Sequence, residues 1–318
     1  MEFGIYLFNR GPFATVANME HLARRAEALG FTHAVVNEHI AMPTAMPGGN
    51  TPTTPSGSVK DWRQMRDYHD PVVMLAHLAA CTHTLRLGTS VIVLPYHNPL
   101  ALAKTFATLD VVSGGRMFLG VGAGWWEAEF RALGLGAQFP QRGARTDEGL
   151  RILRRLWSGE RAEFAGEFHR FEEIEFSPLP VQRPGPPIWV GNNSRRVLRR
   201  VAELGDVWHP TALRQPGQLE PEGVRARRAE LAAMAEAAGR DPAAIGIALR
   251  CALKVSPGER SCLVGEPEQI AEDVRRYEAE GVTHLTLDLP GTSVAEVREH
   301  LERIGEQVLP LVGSAAPR

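Results

Sequence analysis

The chain has 318 residues, of which 44% are hydrophobic, and its formal net charge is −2. Nucleic-acid binding requires a basic surface, so this near-neutral charge disfavours a nucleic acid as the main partner. The cysteines Cys81, Cys251 and Cys262 are widely spaced and form no CxxC pair, which predicts reduced thiols in a cytoplasmic protein rather than disulfides. The sequence has no signal-peptide pattern and no run of about 18 apolar residues, so we expect neither secretion nor a membrane span.

Apolar segments that alternate with amphipathic ones predict eight strands, each followed by a helix. The predicted strands are residues 3–8, 34–38, 87–94, 117–121, 187–191, 206–208, 246–255 and 284–289. The predicted helices are one that ends at Gly30, residues 71–80, one between the third and fourth strands, Arg142–Trp157, Arg195–Leu204, and residues 221–238, 267–280 and 294–309. This alternation predicts an α/β fold, a (β/α)8 TIM barrel that spans residues 1–318 as a single domain.

Several segments interrupt this regular pattern. Insertion loops are predicted after strands 2, 4 and 6, and the first contains a loop over 42–60 that is rich in Pro, Gly and Thr. A small hairpin is predicted over 163–171, and a flexible tail from about residue 312 to the end. Substrate specificity in such barrels depends on loops, so we expect it in residues 41–69 and 208–223, whose sequence does not identify the substrate.

The active site of a barrel enzyme lies at the carboxyl ends of the strands. The second strand ends in Asn37, Glu38 and His39, and a histidine exchanges protons near neutral pH. We therefore predict His39 as a catalytic residue with Glu38 as its neighbour. The alternative is a loop histidine that only bonds the backbone.

Small residues follow the third and fourth strands. Ser90 and Val91 end the third strand, and Gly120, Gly122 and Gly124 recur at every second position. This is not the dinucleotide fingerprint GxGxxG, because Trp occupies position 125. The glycines are expected either to let the loop approach a ligand or to allow tight packing.

A polar run, Gly191, Asn192, Asn193 and Ser194, leads from the fifth strand into a helix. Free amides at a helix N-terminus form an anion site, and Arg195 and Arg196 in the first turn are unfavourable there unless an anion is near. The run therefore predicts a phosphate site. The alternative is ordinary capping beside a solvated basic face that continues to Arg199 and Arg200.

Three segments together carry a family resemblance. They are LGTSVIVLPYHNPLALAKTFATLDVVSGGRMFLGVGAGWW, FPQRGARTDEGLRILRRLW and PPIWVGNNS. In this order the chain resembles the bacterial luciferase-like monooxygenase family over nearly its whole length. These are TIM-barrel enzymes that use reduced FMN or the deazaflavin coenzyme F420, and the resemblance is closest to the F420-dependent branch.

The resemblance implies roles for individual residues. His39 and Glu38 would lie beside the coenzyme ring near its hydride-transfer carbon, and Ser90–Val91 would be a non-prolyl cis peptide that backs the ring. Trp125 stands where the sugar-phosphate dehydrogenase of this branch has a glutamate proton donor, which disfavours sugar-phosphate oxidation.

The segment around Arg142 helps to separate the two cofactors. FMN monooxygenases of the nitrilotriacetate and alkanesulfonate branches tend to carry a His and a Tyr where this chain has Phe139 and Gly143, and only Arg142 is retained. That difference disfavours FMN.

The complete prediction names a cofactor site, a substrate pocket and no metal, since no HxxH or HExxH cluster occurs. The predicted cofactor-binding residues are His39, Ser90, Val91, Gly122, Gly124, Arg142, Gly191, Asn192, Asn193 and Ser194. The predicted substrate pocket contains Trp125, His209 and His69.

We therefore predict an F420-dependent oxidoreductase that transfers a hydride between the coenzyme and a small organic substrate. Two alternatives stay open. One is an FMN-dependent monooxygenase that uses reduced flavin and O2, and the other is a non-catalytic barrel that binds flavin or deazaflavin. The resemblance also implies a homodimer, with a flavin reductase or an F420 reductase supplying the reduced cofactor.

Overall fold

The computed structural model describes residues 1–43, 67–212 and 219–313, together with the backbone of Thr53–Thr54 and Gly57–Ser58. Eight parallel strands pair in sequence, and the last pairs with the first, so the barrel is closed. The strands are β1 (Glu2–Tyr6), β2 (His33–Val36), β3 (Arg86–Thr89), β4 (Met117–Gly122), β5 (Ile188–Gly191), β6 (Val207–His209), β7 (Gly246–Ala252) and β8 (His284–Asp288). The predicted (β/α)8 barrel is confirmed.

Eight helices surround the strands, at the places that the sequence predicts. They are α1 (Val16–Ala28), α2 (Pro71–Cys81), α3 (Pro99–Ser113), α4 (Arg142–Trp157), α5 (Arg195–Leu204), α6 (Pro221–Ala237), α7 (Pro267–Ala279) and α8 (Val294–Arg303). Four of them begin with proline, whose missing N–H costs nothing in a first turn. None of the helices in the described part of the chain is both long and apolar enough to cross a membrane.

The prediction of one strand over residues 87–94 is wrong. β3 ends at Thr89, the Ser90–Val91 peptide bond is cis, and Ile92–Val93 then pairs with the end of β4. The chain turns at this bond, so two short strands replace one long strand. The cis bond that the family resemblance implies is thus present.

Two further elements end earlier than predicted. β7 stops at Ala252, where its pairing with Asp288 of β8 ends, and Lys254–Val255 pairs instead with Val264–Gly265. α8 ends at Arg303. The chain then continues as a π-helical turn, Ile304–Val308, and a 3₁₀ turn, Leu309–Val312.

The insertions are described in part. A short helix, Glu127–Ala132, and a 3₁₀ segment, Gly136–Gln141, connect β4 to α4. The predicted hairpin forms from Ala162–Ala165 and Arg170–Ile174. Most of loop 42–60, part of the loop after β6 (213–218) and the tail (314–318) lie outside the described residues.

Side chains that alternate along the strands form two apolar layers. One lies between the strands and the helices, and a smaller cluster inside the barrel includes Tyr6, Phe118 and Trp189. Phe118 stacks on Trp189 with ring centroids 4.1 Å apart, and a side chain at Gly88 would collide with Phe118. These large rings fill part of the barrel interior.

Candidate active site

A cavity of about 800 Å³ opens at the carboxyl ends of β2 to β6. Every predicted site residue except His69 lines it, namely Glu38, His39, Ser90, Val91, Gly122, Gly124, Trp125, Arg142, Gly191, Asn192, Asn193, Ser194 and His209. The His69 side chain instead contacts the carbonyl oxygen of Ala14 in the loop after β1. The structure therefore does not bring His69 to the predicted pocket.

His39 lies on one wall of the cavity and is held by a buried carboxylate. Its Nδ1 is 2.7 Å from Oε2 of Glu129, a fully buried residue of the short helix after β4. Glu129 also accepts hydrogen bonds from the amides of Ile40 (2.8 Å) and Ala41 (3.2 Å). Burial by itself would raise the pKa of Glu129, but these hydrogen bonds outweigh it and lower the pKa, so the group is a carboxylate.

Glu38 lines the cavity, but its contacts differ from the prediction. Its two oxygens accept hydrogen bonds from the Val93 amide at 2.7 Å and from Nε2 of His97 at 2.8 Å. Glu38 therefore supports the segment that follows the cis bond, while the carboxylate that contacts His39 is supplied by Glu129. Burial opposes the charge of His97, yet the contact with Glu38 raises the pKa of His97.

Ser90 is held through both its side chain and its backbone carbonyl. Its Oγ is 2.8 Å from Nε2 of His209, whose Nδ1 lies 2.6 Å from the Ala248 carbonyl oxygen. Arg250 donates to the Ser90 carbonyl oxygen at 3.0 Å and pairs with Asp288 at 2.8 Å. Burial lowers the pKa of His209 to about 4, so its ring is neutral, donates from Nδ1 and accepts the Ser90 hydroxyl at Nε2.

Two of the predicted glycines make room for Val91. A side chain at Gly122 would approach one Val91 methyl to 2.7 Å, and a side chain at Gly191 would approach the other to 2.8 Å. Gly120 has a different role, because a side chain there would collide with the Thr89 carbonyl oxygen. These glycines thus serve close packing of the chain around the cis bond, and by leaving Val91 uncovered they also form the cavity floor.

The far end of the cavity is formed by the N-terminus of α5. Arg196, Arg200 and Arg227 line it with Asn192 and Ser194. The Ser194 side chain makes no capping hydrogen bond, whereas Asn192 Oδ1 accepts the amides of Asn193 at 2.6 Å and Ser194 at 3.2 Å. The predicted polar run thus meets the cavity, and part of its amide capacity is used internally.

Acidic side chains neutralise this end only in part. Asp147 pairs with Arg200, and Glu230 pairs with both Arg195 (3.1 Å) and Arg227 (2.9 Å). Among the described residues at this helix end, two carboxylates thus oppose four arginines, Arg195, Arg196, Arg200 and Arg227, which leaves two positive charges. This excess suits an anionic group, as the sequence pattern predicts.

Comparison with known proteins agrees with this geometry. The model for the luciferase-like monooxygenase family matches residues 1–260. The chain belongs to this family. A protein of Mycobacterium tuberculosis described as uncharacterized is 33% identical over 309 residues, covering 97% of this chain and 99% of that protein. The FMNH2-dependent dimethylsulfone monooxygenase of Pseudomonas putida is 28% identical over 297 residues, covering 77% and 78% of the two chains.

Solved structures of luciferase-like enzymes have the same fold. A monooxygenase from Streptomyces bottropensis superimposes with a TM-score of 0.77 at 24% identity, covering 98% of this chain and 99% of that one. An F420-dependent secondary alcohol dehydrogenase gives a TM-score of 0.77 at 18% identity, with 98% of each chain covered. At this identity the similarity shows the fold alone, and the proteins similar to this chain include an F420-dependent and an FMNH2-dependent enzyme.

Three aromatic residues, Tyr68, Trp125 and Trp126, lie beside the His39 ring. The rings of Trp125 and Trp126 stack 5.2 Å apart, and Tyr68 meets the His39 ring edge at 5.0 Å. Trp126 is buried, whereas 58% of Trp125 is exposed. Trp125 is therefore the member of this cluster that can contact a ligand, in line with its predicted place in the substrate pocket.

Sequence reasoning missed three residues that organise the site: Glu129, Arg200 and Arg227. Glu129 had a detectable signal, since a charged residue inside an otherwise apolar helix face requires a partner. Arg142, which was predicted, donates to the Gly124 carbonyl oxygen at 3.1 Å and lies over the Phe139 ring. It therefore holds the glycine loop against the segment that replaces the FMN-contacting residues.

Among the residues that the structure describes, one group outside the cavity has metal-ligand chemistry. Glu20, His77 and Cys81 lie on α1 and α2 with ligand atoms within 4.8 Å of one another. Glu20 is already paired with Arg24 at 2.9 Å, and this cation opposes a metal ion. The absence of a metal site stays a prediction.

Proposed function

We propose that this chain is an F420-dependent oxidoreductase that transfers a hydride between the coenzyme and a small organic substrate. The observation that carries the proposal is one cavity with His39 on its wall and an excess of two arginines at its far end. A proton-exchanging group and an anion-binding group at opposite ends fit a ring-and-phosphate cofactor.

The residues present fit such a cofactor. A volume of about 800 Å³ lies within the usual range of ligand sites. Val91, which Gly122 and Gly191 leave uncovered, offers a floor for a planar ring, and the α5 N-terminus with Arg196 would hold the phosphate. The bound coenzyme would supply two-electron hydride chemistry.

The segment around Arg142 favours F420 over FMN, because Phe139 and Gly143 stand in place of the His and Tyr of the FMN branches. The charge at the far end suits either cofactor. FMN carries a phosphate monoester with about two negative charges near pH 7, and F420 carries a phosphodiester and further carboxylates in its tail, so an excess of two positive charges attracts both.

Within this proposal the chain's own residues bind, orient and exclude water. His39 would hold or accept the proton that accompanies hydride transfer, and Ser90–Val91 would support the ring. Trp125 would cover the substrate and keep water from the reacting atoms. A histidine paired with a buried carboxylate and set in the wall of a cavity is typical of catalytic sites, so the Glu129–His39 pair favours an enzyme over a barrel that only binds coenzyme.

An FMN-dependent monooxygenase is the second candidate. It is favoured by the 28% identity to the dimethylsulfone monooxygenase, which is FMNH2-dependent. In that case the same cavity would hold FMN, and Arg196 would contact its phosphate.

The proposed assembly is a homodimer served by a separate reductase that reduces its F420 or flavin. Light scattering on purified protein would measure self-association. Cytoplasmic location stays a prediction.

Titration of the purified apoprotein with oxidised F420 and with FMN, followed by fluorescence, tests the cofactor. We expect micromolar or tighter binding of F420 and at least tenfold weaker binding of FMN, about 1.4 kcal/mol. Tight FMN binding without F420 binding would replace the first candidate by the second, and binding of neither would remove both.

A further inference from the structure

The carboxylate behind His39 has an environment that limits what it can do. Glu129 is fully buried and is not among the residues that line the cavity. A substrate or coenzyme in the cavity therefore cannot reach it. Any influence of Glu129 on the reaction must pass through a residue that it contacts.

In the described part of the chain, the groups that hydrogen-bond Glu129 are donors. The amides of Ile40 and Ala41 donate to Oε1, and His39 Nδ1 meets Oε2. A carboxylate has about four acceptor positions and no proton to donate. At 2.7 Å the proton shared with His39 must therefore be carried by Nδ1.

We propose that Glu129 is a positioning residue that keeps a proton on Nδ1 of His39 and so makes Nε2 the nitrogen that exchanges protons with a ligand. In a neutral imidazole only one nitrogen carries a proton, so a proton held at Nδ1 leaves Nε2 as an acceptor. The inference rests on the proposed catalytic role of His39, but the proton's position is measurable without any coenzyme.

Glu129 also shows where the loop after β4 carries an acidic residue in this chain, since Trp125 occupies the position of the dehydrogenase's glutamate. In the sugar-phosphate dehydrogenase of this branch, a glutamate follows the glycine run and acts as proton donor. Here the carboxylate lies four residues later, on the short helix Glu127–Ala132, and points at His39 instead of the cavity. The loop after β4 thus supplies an acidic group for the histidine, while Trp125 leaves the substrate side apolar.

Glu129→Gln is the informative variant because it changes the hydrogen-bond pattern with little change in shape. The backbone amides of Ile40 and Ala41 cannot move or become acceptors, so the new amide oxygen would stay with them. The new NH2 group would then face Nδ1 of His39 and require it to accept. We therefore expect the histidine proton to move to Nε2.

Nitrogen-15 NMR of histidine-labelled apoprotein measures this change, and the His39 signals are assigned by their loss in His39→Ala. We expect the proton on Nδ1 in the wild type and on Nε2 in Glu129→Gln. The matched control is Glu127→Gln on the same helix, where Glu127 is exposed and paired with Arg131, and it should leave the proton on Nδ1. A wild-type proton on Nε2, or an unchanged one in Glu129→Gln, overturns the inference.

Kinetics with the cofactor that the titration selects give the second test. Glu129→Gln should lower kcat by about 100-fold or more, since general acid–base catalysis contributes about 10²- to 10⁴-fold, and should leave coenzyme affinity within about threefold. Glu129→Asp, which keeps the carboxylate, should recover part of the rate. In a His39→Ala background Glu129→Gln should have no further effect, and an additional loss there contradicts action through His39.

The two proposals fail in distinguishable ways. An enzyme that uses neither cofactor but carries its His39 proton on Nδ1 contradicts the proposed function and retains this inference. An active F420 enzyme whose His39 proton lies on Nε2 does the reverse. If Glu129→Gln fails to fold, the wild-type spectrum and the Glu129→Asp variant still decide.

Discussion

The cavity has an inner wall, formed by His39, Ser90 and His209, and an outer rim, which is the far end at the N-terminus of α5 with Arg196, Arg200 and Arg227. These two regions hold their polar groups in different ways. At the wall, His39 is hydrogen-bonded to Glu129 at 2.7 Å, and Ser90 is hydrogen-bonded to His209 at 2.8 Å. His209 is also hydrogen-bonded to the Ala248 carbonyl oxygen at 2.6 Å. At the rim, Arg196 is exposed and the arginines outnumber the carboxylates. The wall is organised by specific contacts and the rim by charge.

This difference predicts two kinds of chemistry from one cavity. Groups that are hydrogen-bonded in a buried environment are pre-organised, so they act through their exact donor and acceptor pattern and are little affected by salt. Exposed cations attract an anion whatever its detailed shape, and salt screens them. Rates should therefore depend on the wall and salt-sensitive affinity on the rim.

The largest effect is expected at the wall. His39→Ala should slow hydride transfer by about 10²- to 10⁴-fold, because it removes the proton-exchanging group, while the coenzyme affinity changes far less. Single-turnover kinetics beside an affinity titration measure the two quantities. Equal turnover in the variant would remove His39 from the mechanism.

A smaller effect is expected at the floor. Gly191→Ala would place a methyl group 2.8 Å from a Val91 methyl, and such overpacking costs about 1–3 kcal/mol of unfolding free energy. The control is Gly143→Ala, where the nearest atom, on Arg200, is 3.6 Å away. Thermal unfolding should show a lower Tm for the first variant only, and similar values for both would contradict this reading of the floor.

The pH dependence of stability tests the buried wall in another way. Because burial lowers the pKa of His209 to about 4, the unfolded chain binds a proton there below about pH 6.5 and the folded chain does not until about pH 4. Stability is therefore lost as the pH falls through this window, by about 2 kcal/mol between pH 7 and pH 5. Urea unfolding at pH 7 and pH 5 measures this loss. The free energy of unfolding of His209→Gln should fall by about 2 kcal/mol less than that of the wild type over this interval. An equal fall in both proteins would show that folding does not change the pKa of His209.

The smallest effect is expected at the rim. Arg196→Ala should weaken coenzyme binding by about tenfold at low salt, as for one charge-assisted hydrogen bond, and by less at high salt. Arg199→Ala is the matched control, because Arg199 lies on the same helix but is paired with Glu203 at 2.8 Å and does not line the cavity. If both variants bind alike, the rim does not hold the phosphate.

Individual residues illustrate how far sequence reasoning reached. α4 and α5 begin and end where predicted, since their apolar spacing is local information. The predicted strand over 87–94 is too long, because hydrophobic periodicity does not reveal a cis peptide bond. His69 was placed in the pocket because its loop follows β2 in sequence, whereas its side chain contacts Ala14.

The alternation of apolar and amphipathic segments along the chain determines the barrel, and the order of polar and glycine residues determines the family and most of the cavity lining. Each of these properties depends on residues within a segment of about ten to twenty positions, so the sequence pattern of that segment is enough to predict it. Tertiary structure alone decides that Glu129 contacts His39, which is 90 positions away in the sequence, and that Asp147 and Glu230 neutralise only part of the arginine rim. The physical reason is that donor–acceptor pairing and charge balance depend on which elements meet in space, and neither is visible within one segment.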